Sequence, residues 1–398
     1  MINLKLFILL LATPVFCLAQ KQLTEDEALT LALKHSALIN SSSLAVTQSK
    51  QLQKTAYNFR NPEILMQSPQ GVFQTVGILQ TFEFPTVYVK QHQLLKQQTV
   101  LSQVGQKITE NDIKYQVKTL YLTIQYFELI YIQYKIQDSI YSQIQKTAQR
   151  QFDAGQIDYL EKTFADAQYG EIHNQFIQAQ TDLQVSQSQL QIFTGLKELI
   201  TTISLQKSQA NTTIFQIKND TSIIKNNPSM LYIRQQQVIS KKNLSLERNR
   251  FLPGLMIGYL NQGSDRKTSS FLRLQAGISI PLWFWQYTGS INAAKTGLKI
   301  SEQKVLAQQQ SLSIELQKAQ GDYIKYFQSL SYYEKTGLKQ ADDIITTSKR
   351  FFEGGHTADY ISFLRTINDA YLIKLKYAES LKNYNQSVIN INYLTGSL

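Results

Sequence analysis

The chain has four histidines, His35, His92, His173 and His356, scattered singly and without the His-Glu-x-x-His spacing of a metal hydrolase. No glycine-rich phosphate loop follows a strand pattern, and no serine sits in a Gly-x-Ser-x-Gly elbow. An enzyme is not expected, nor is a cofactor or a metal centre. The groups that could act chemically gather around two glycines instead. Arg150, Asp153, Gly155, Asp158 and Glu161 form one set; Arg350, Glu353, Gly355, His356 and Asp359 form the other. Acidic rings gate or select cations and pair with basic residues of a partner, so the chemistry expected of these sets is electrostatic. The same charges also serve the plainer purpose of capping and solvating helix ends. Gly155 and Gly355 suit a chain reversal under either reading, because glycine tolerates a left-handed backbone.

The two sets are copies of each other. Arg-x-Phe-Asp-x-Gly at 150–155 returns as Arg-x-Phe-Glu-x-Gly at 350–355, and Asp158-Tyr159-Leu160 returns as Asp359-Tyr360-Ile361. The runs that follow end in Thr194-Gly195 and Thr395-Gly396. A repeat of half the chain is too long for a solenoid unit and reads as a duplicated half-molecule.

Long helices must carry these sets. Val87–Phe152 contains no proline and would reach ~100 Å at 1.5 Å per residue. Ile113, Val117, Leu120, Ile124, Phe127, Tyr131 and Tyr134 follow the 4-3 spacing of a coiled-coil seam, and Leu122, Leu129, Ile136 and Ile140 form a second seam beside it. Two seams imply a helix packed on two sides, as in a ring of helices. Trp285–Phe352 repeats the pattern, with one phase shift at the Leu312-to-Leu316 step. Return helices follow each glycine. Shorter helices, about Thr24–Tyr57 and Pro228–Arg250, precede each strand region, and the polar stretch Lys197–Lys225 reads as a connector.

Between short and long helices, Pro62 and Pro85, and again Pro253 and Pro281, bracket segments that alternate with period two. Val76, Ile78, Phe82 and Phe84 oppose Thr75, Gly77, Thr81 and Glu83; Leu272, Leu274, Ala276, Ile278 and Ile280 oppose Arg273, Gln275, Gly277 and Ser279. That is strand periodicity with one apolar face. With turns at Ser68–Gly71 and within Gln262–Ser270, each half holds a hairpin and the chain four strands. Four strands cannot close a barrel, whereas three copies would give twelve. Aromatic residues crowd the strand–helix junctions: Tyr57, Phe59, Tyr88, Phe251, Trp283, Phe284, Trp285 and Tyr287. Such rings suit the headgroup level of a membrane; the alternative is an aromatic core.

Residues 1–19 resemble a secretory signal, with Lys5 before the apolar run Leu6–Ala12 and cleavage expected after Cys17-Leu18-Ala19. Cys17 is the sole cysteine, so cleavage after Ala19 is expected to leave a mature chain without cysteine or disulfides; the alternative is a lipoprotein signal with Cys17 as its anchor. The net charge of +11 is spread along the chain, which argues against nucleic acid.

The order of signal, helix, hairpin, long helix and glycine-tipped return helix, given twice, resembles the TolC family of outer-membrane efflux ducts. Arg150–Gly155 and Arg350–Gly355 are similar to the family's helical-hairpin tips, and Phe84-Pro85 and Ile280-Pro281 to its strand-to-helix exits. The resemblance implies a mainly α fold with a small β part: long coiled-coil hairpins forming a periplasmic α-barrel, and four strands per protomer in a trimeric 12-stranded outer-membrane barrel. It implies two structural repeats, 20–196 (hairpin 62–85, long helix 87–152, return helix 157–194) and 226–398 (hairpin 253–281, long helix 285–352, return helix 357–394), joined by a connector at 197–225. The implied function is a passive outer-membrane exit duct of a tripartite efflux system, working as a homotrimer in outer-membrane lipid with a periplasmic membrane-fusion adaptor and an RND-type inner-membrane pump. The tip sets would meet the adaptor and form the gate, although Ile361, Ser362 and Arg365 depart from the family's acidic pattern in the second half. Ile280-Pro281-Leu282-Trp283-Phe284 is similar to the heavy-metal branch, which points to metal cations as cargo; drug efflux and type I secretion are the alternatives. A periplasmic coiled-coil adaptor or a scaffold protein is the alternative of another class.

Overall fold

The computed structural model describes residues 21–67, 75–209, 223–262, 273–353 and 360–398. The expected signal segment with Cys17, the turn residues 68–71 and 263–270, most of the connector after Ala210, and Gly355, His356 and Asp359 lie outside the described residues.

In chain order the elements are β1 (Lys21–Gln22), α1 (Glu25–His35), α2 (Ala37–Gln53), a 3-10 turn (Lys54–Tyr57), β2 (Glu63–Gln67), β3 (Thr75–Phe82), α3 (Pro85–Asp153), α4 (Tyr159–Thr194) and β4 (Ile200–Thr201). A second 3-10 turn (Ile223–Asn226) leads into α5 (Pro228–Arg250), β5 (Gly254–Gln262), β6 (Arg273–Ser279), α6 (Phe284–Tyr332), a π-helical turn (Tyr333–Gly337), α7 (Leu338–Glu353) and α8 (Tyr360–Thr395). Local chemistry sets the helix ends. Pro85 opens α3 and Pro228 opens α5, each at a position where a missing N–H costs nothing. Asn227 caps α5 by accepting from the N–H groups of Ser229 and Met230. Asp158 and Glu161 close a reciprocal capping box at the start of α4. The helix expected over Thr24–Tyr57 is divided, because Ser36 leaves the helical conformation and its hydroxyl caps α2 by accepting from Ile39 N.

The two long helices differ in regularity. α3 runs without interruption, whereas its counterpart contains the π turn at Tyr333–Gly337. A π turn holds one residue more than the α turn it replaces, so it shifts the phase of α7 relative to α6 by one residue. The Tyr333 ring lies where a Cβ on Gly337 would stand, its Cδ1 only 2.9 Å away, so the turn fits glycine there. The phase irregularity expected at Leu312–Leu316 is met without a break: both leucines are buried in α6.

The chain forms two compact units, each assembled from several stretches. Unit one comprises the described residues up to His35, Val117–Lys207 and Ser329–Lys382. Its core takes Tyr141, Ile144 and Ala148 from α3, Ala165 and Ile172 from α4, Ala341 and Ile345 from α7, and Leu364, Ile367 and Tyr371 from α8, so four helices share one apolar centre. Within it β1 and β4 pair in parallel. Tyr121 fastens them, its hydroxyl donating to Leu23 O at 2.8 Å and accepting from Ile203 N at 3.1 Å. Glu128 accepts from both the N–H and the hydroxyl of Thr202; burial raises its pKa, and those two hydrogen bonds hold the rise back. Unit two comprises Ser36–Gln116, Ser208–Gln328 and Asn383–Leu398. Its helical core joins Met230 of α5, Leu312, Leu316 and Ala319 of α6, and Ile391 and Leu394 of α8. Val87 and Leu94 of α3 meet Leu246 of α5 in a smaller cluster beside the sheet.

Two pairs of variants test these assignments by thermal unfolding. Deleting the exposed Lys335 should let the π turn become an α turn and leave the melting temperature nearly unchanged; deleting Lys318, equally exposed, turns Ala319 and Leu330 by about 100° out of the core and should unfold the chain. Tyr121→Phe orphans two backbone groups and should cost about 2 kcal/mol. Tyr141→Phe should be neutral or stabilising, because the buried Tyr141 hydroxyl has no partner among the described residues.

Candidate functional site

The chain offers two candidate surfaces, one in each unit. The first is the sheet of unit two, antiparallel in the order β2-β3-β5-β6. β3 and β5 are paired on both sides, whereas β2 and β6 are edges with a row of backbone groups unpaired within the sheet. The register puts Ile64 opposite Ile78, Met66 opposite Val76, and Leu255 opposite Ile278. Ile64, Met66, Val76, Ile78, Ile257, Leu274 and Ile278 are between 50% and 72% exposed. Withdrawing that face from water is worth on the order of 10 kcal/mol per protomer. On the opposite face bulk is laid flat over glycine: Leu79 covers Gly258, and Met256 covers Gly277. That face also carries Glu63, Thr81, Gln275 and Ser279, placed by the same register.

The junction aromatics border this sheet. Phe59 packs on Phe82 and Tyr88, and Tyr88 Oη accepts from Glu83 N at 3.0 Å. Tyr57 stacks on His92, Phe251 meets Tyr287 edge-on, and Trp285 contacts both Trp283 and Phe284. Trp283, Phe284 and Trp285 are about 60% exposed or more, so they form no closed core in the protomer. Tyr88 and Tyr287 are the half-buried members of the set.

The second surface is the turn between α3 and α4 in unit one. Gly155 there has φ +69°, and its N–H donates to Phe152 O. Arg150 is spent locally, bonding Lys146 O and Thr147 Oγ1 within α3, and Asp153 accepts from Gln149. Asp158 and Glu161 are spent on each other's backbone N–H groups. Burial alone would raise Asp166, but hydrogen bonds from Lys162 and Gln145 outweigh it and hold its pKa below the ordinary range. In the second half Arg350 is exposed near the end of α7, which stops at Glu353. Two large apolar residues exposed at this turn were not among the expected site residues: Tyr159 and Leu160, 69% and 65% exposed, with Tyr159 edge-on to Phe152. Their place beside the repeated Asp158 was the available signal. In and beside the core of unit one, Gln137 and Tyr141 stand one turn apart on α3, both buried, with an amide nitrogen and a hydroxyl lacking partners among the described residues. Burial pushes the Tyr141 pKa up.

Among the described residues no helix is long and apolar enough to cross a membrane, and no three His, Cys, Asp or Glu side chains are placed to hold a metal ion. No protein-family model matches the sequence, and no curated protein matches it. Solved structures do. The chain is similar to CusC, described as undergoing conformational change on transmembrane channel formation, at 14% identity over 94% of this chain and 92% of that one, with a TM-score of 0.77. It is similar to the CmeC outer-membrane channel of Campylobacter jejuni at 12% identity, covering 94% and 85%, with a TM-score of 0.75. The open MtrE outer-membrane channel of Neisseria gonorrhoeae gives 12% identity, 94% and 88% coverage, and a TM-score of 0.73. The chain therefore has the fold of the TolC-like outer-membrane channels.

Proposed function

We propose that this chain is the protomer of a homotrimeric outer-membrane exit duct that conducts cargo passively. The carrying observation is the four-stranded sheet with two unpaired edges and one exposed apolar face. Backbone groups cannot stay unpaired in hydrocarbon, so a sheet in a bilayer must close. Three copies joined β6 to β2 close it with twelve strands. The apolar face then meets lipid, and Tyr57, Phe59, Phe251, Trp283, Phe284 and Trp285 sit at its border as an aromatic girdle. Likeness to outer-membrane channels over 94% of the chain supports this reading.

The hairpin tips are the proposed contact with a periplasmic adaptor, which links the duct to an inner-membrane pump of the RND type. Because Arg150, Asp153, Asp158 and Glu161 are bonded locally, the tip contact rests on Tyr159 and Leu160 as apolar anchors more than on free charges. Gating is a change of packing among the four helices of unit one. The unpartnered Gln137 and Tyr141 groups cost the present packing about 1–3 kcal/mol each and would favour an arrangement that pairs them. Ile280-Pro281-Leu282-Trp283-Phe284, the segment that resembles the heavy-metal branch, lies in the proposed lipid girdle. It therefore bears on membrane anchoring, and the case for metal cargo is left resting on that resemblance and on the likeness to CusC.

Reconstitution into planar bilayers tests the duct: the wild type should give discrete current steps, and their absence would reject it. Gly155→Pro combined with Gly355→Pro should abolish efflux in cells while trimers still assemble; normal efflux from that variant would remove the tips from the mechanism.

A further inference from the structure

At the foot of the sheet, within unit two, is a cavity of about 420 Å³. Its walls include Thr81, Met256 and Ser279 from the face of the sheet opposite the exposed apolar one, together with Phe82, Leu255 and Ile278, which the register places with the apolar face. Three charged residues line it: Arg60, which is exposed, half-buried Glu83, and Arg250. Arg250 is already neutralised by Glu247 at 2.8 Å, so it contributes spare N–H donors and little net charge. Arg60 and Glu83 are different. Only their backbone groups take part in hydrogen bonds, the Arg60 carbonyl accepting from Gln80 and the Glu83 N–H donating to Tyr88. Among the described residues, neither the Arg60 guanidinium nor the Glu83 carboxylate has a salt-bridge or hydrogen-bond partner. The other walls are largely apolar, with Phe84, Leu252 and Pro281 among them.

One unpaired cation and one unpaired anion beside an apolar hollow of small-ligand size define a complementary guest. We infer that this cavity is a binding subsite for zwitterionic amphiphiles, with Arg60 holding the anionic group, Glu83 the cationic group, and the apolar wall covering the body between. The inference rests on the duct reading, because closing the barrel is what turns this face into a lumen wall. A guanidinium binds a carboxylate or phosphate through paired N–H donors, and the spare Arg250 donors reinforce that end. A guest with one charge leaves the opposite group of the site unmatched and binds less well. The guest could be a molecule passing through the duct or the headgroup of a zwitterionic phospholipid, since both present this chemistry.

The test uses the reconstituted channel and three probes of one shape: 4-(aminomethyl)benzoate, 4-methylbenzoate and 4-methylbenzylamine. The zwitterion should block current at about a tenfold lower concentration than either singly charged probe. Arg60→Gln should weaken block by the zwitterion and the carboxylate about tenfold and leave the amine unchanged, and Glu83→Gln should weaken the zwitterion and the amine alone. Unchanged single-channel conductance shows that each variant has folded and closed its barrel, and Arg60→Lys should restore most of the block. Block by the zwitterion that is equal in phosphatidylglycerol and phosphatidylethanolamine bilayers assigns the site to passing molecules; block lost when phosphatidylethanolamine is present assigns it to lipid. Normal current steps with equal block by all three probes, or with no effect of either substitution, would overturn the inference. A wild type without current steps would overturn the duct itself.

Discussion

The rest of the structure depends on the condition imposed by a small sheet with open edges. β2 and β6 leave a row of backbone groups unpaired within the sheet, and one face carries seven exposed aliphatic side chains. In water such a sheet is an aggregation hazard. In hydrocarbon its edges are untenable unless they meet. The aromatic border, the flat lay of Leu79 and Met256 over glycines on the other face, and the proline-led exits into long helices are all consistent with a sheet that becomes part of a closed wall.

The long helices answer to a second condition, matched phase. Four helices share the core of unit one, and a helix one residue too long would turn Ala341 and Ile345 away from that core. The π turn at Tyr333–Gly337 sets the phase in which Ala341 and Ile345 meet that core, and Gly337 makes room for the Tyr333 ring. Lys207 pairs with Glu334 inside the same turn at 3.0 Å, so a residue from the start of the connector also fastens the irregular point.

Much of this was legible in the residues. Period-two alternation marked β3 and β6, the 4-3 seams marked the long helices, and Arg-x-Phe-Asp-x-Gly marked the turn at Gly155. What escaped notice had weak local signatures. Ser36 divides α1 from α2 without glycine or proline, through a hydroxyl cap that a polar helix surface disguises. β1 and β4, two residues each, exist through a long-range pairing that no local pattern encodes. The π turn has no composition of its own. At the tip, residue type pointed to Arg150, Asp153, Asp158 and Glu161, yet the geometry occupies all four locally and leaves Tyr159 and Leu160 outward. Arg60 drew no attention, and Glu83 was read only as part of a strand's polar face, because being unpaired is a property of the folded chain.

The central claim is that this protomer is one third of a closed barrel. Single-particle imaging of the protein extracted from the cell envelope and held in lipid nanodiscs addresses it most directly. The account predicts three copies around one axis, with β6 of each paired to β2 of the next and the apolar face turned to lipid. A monomer, or an assembly in which β2 and β6 remain unpaired, would contradict it.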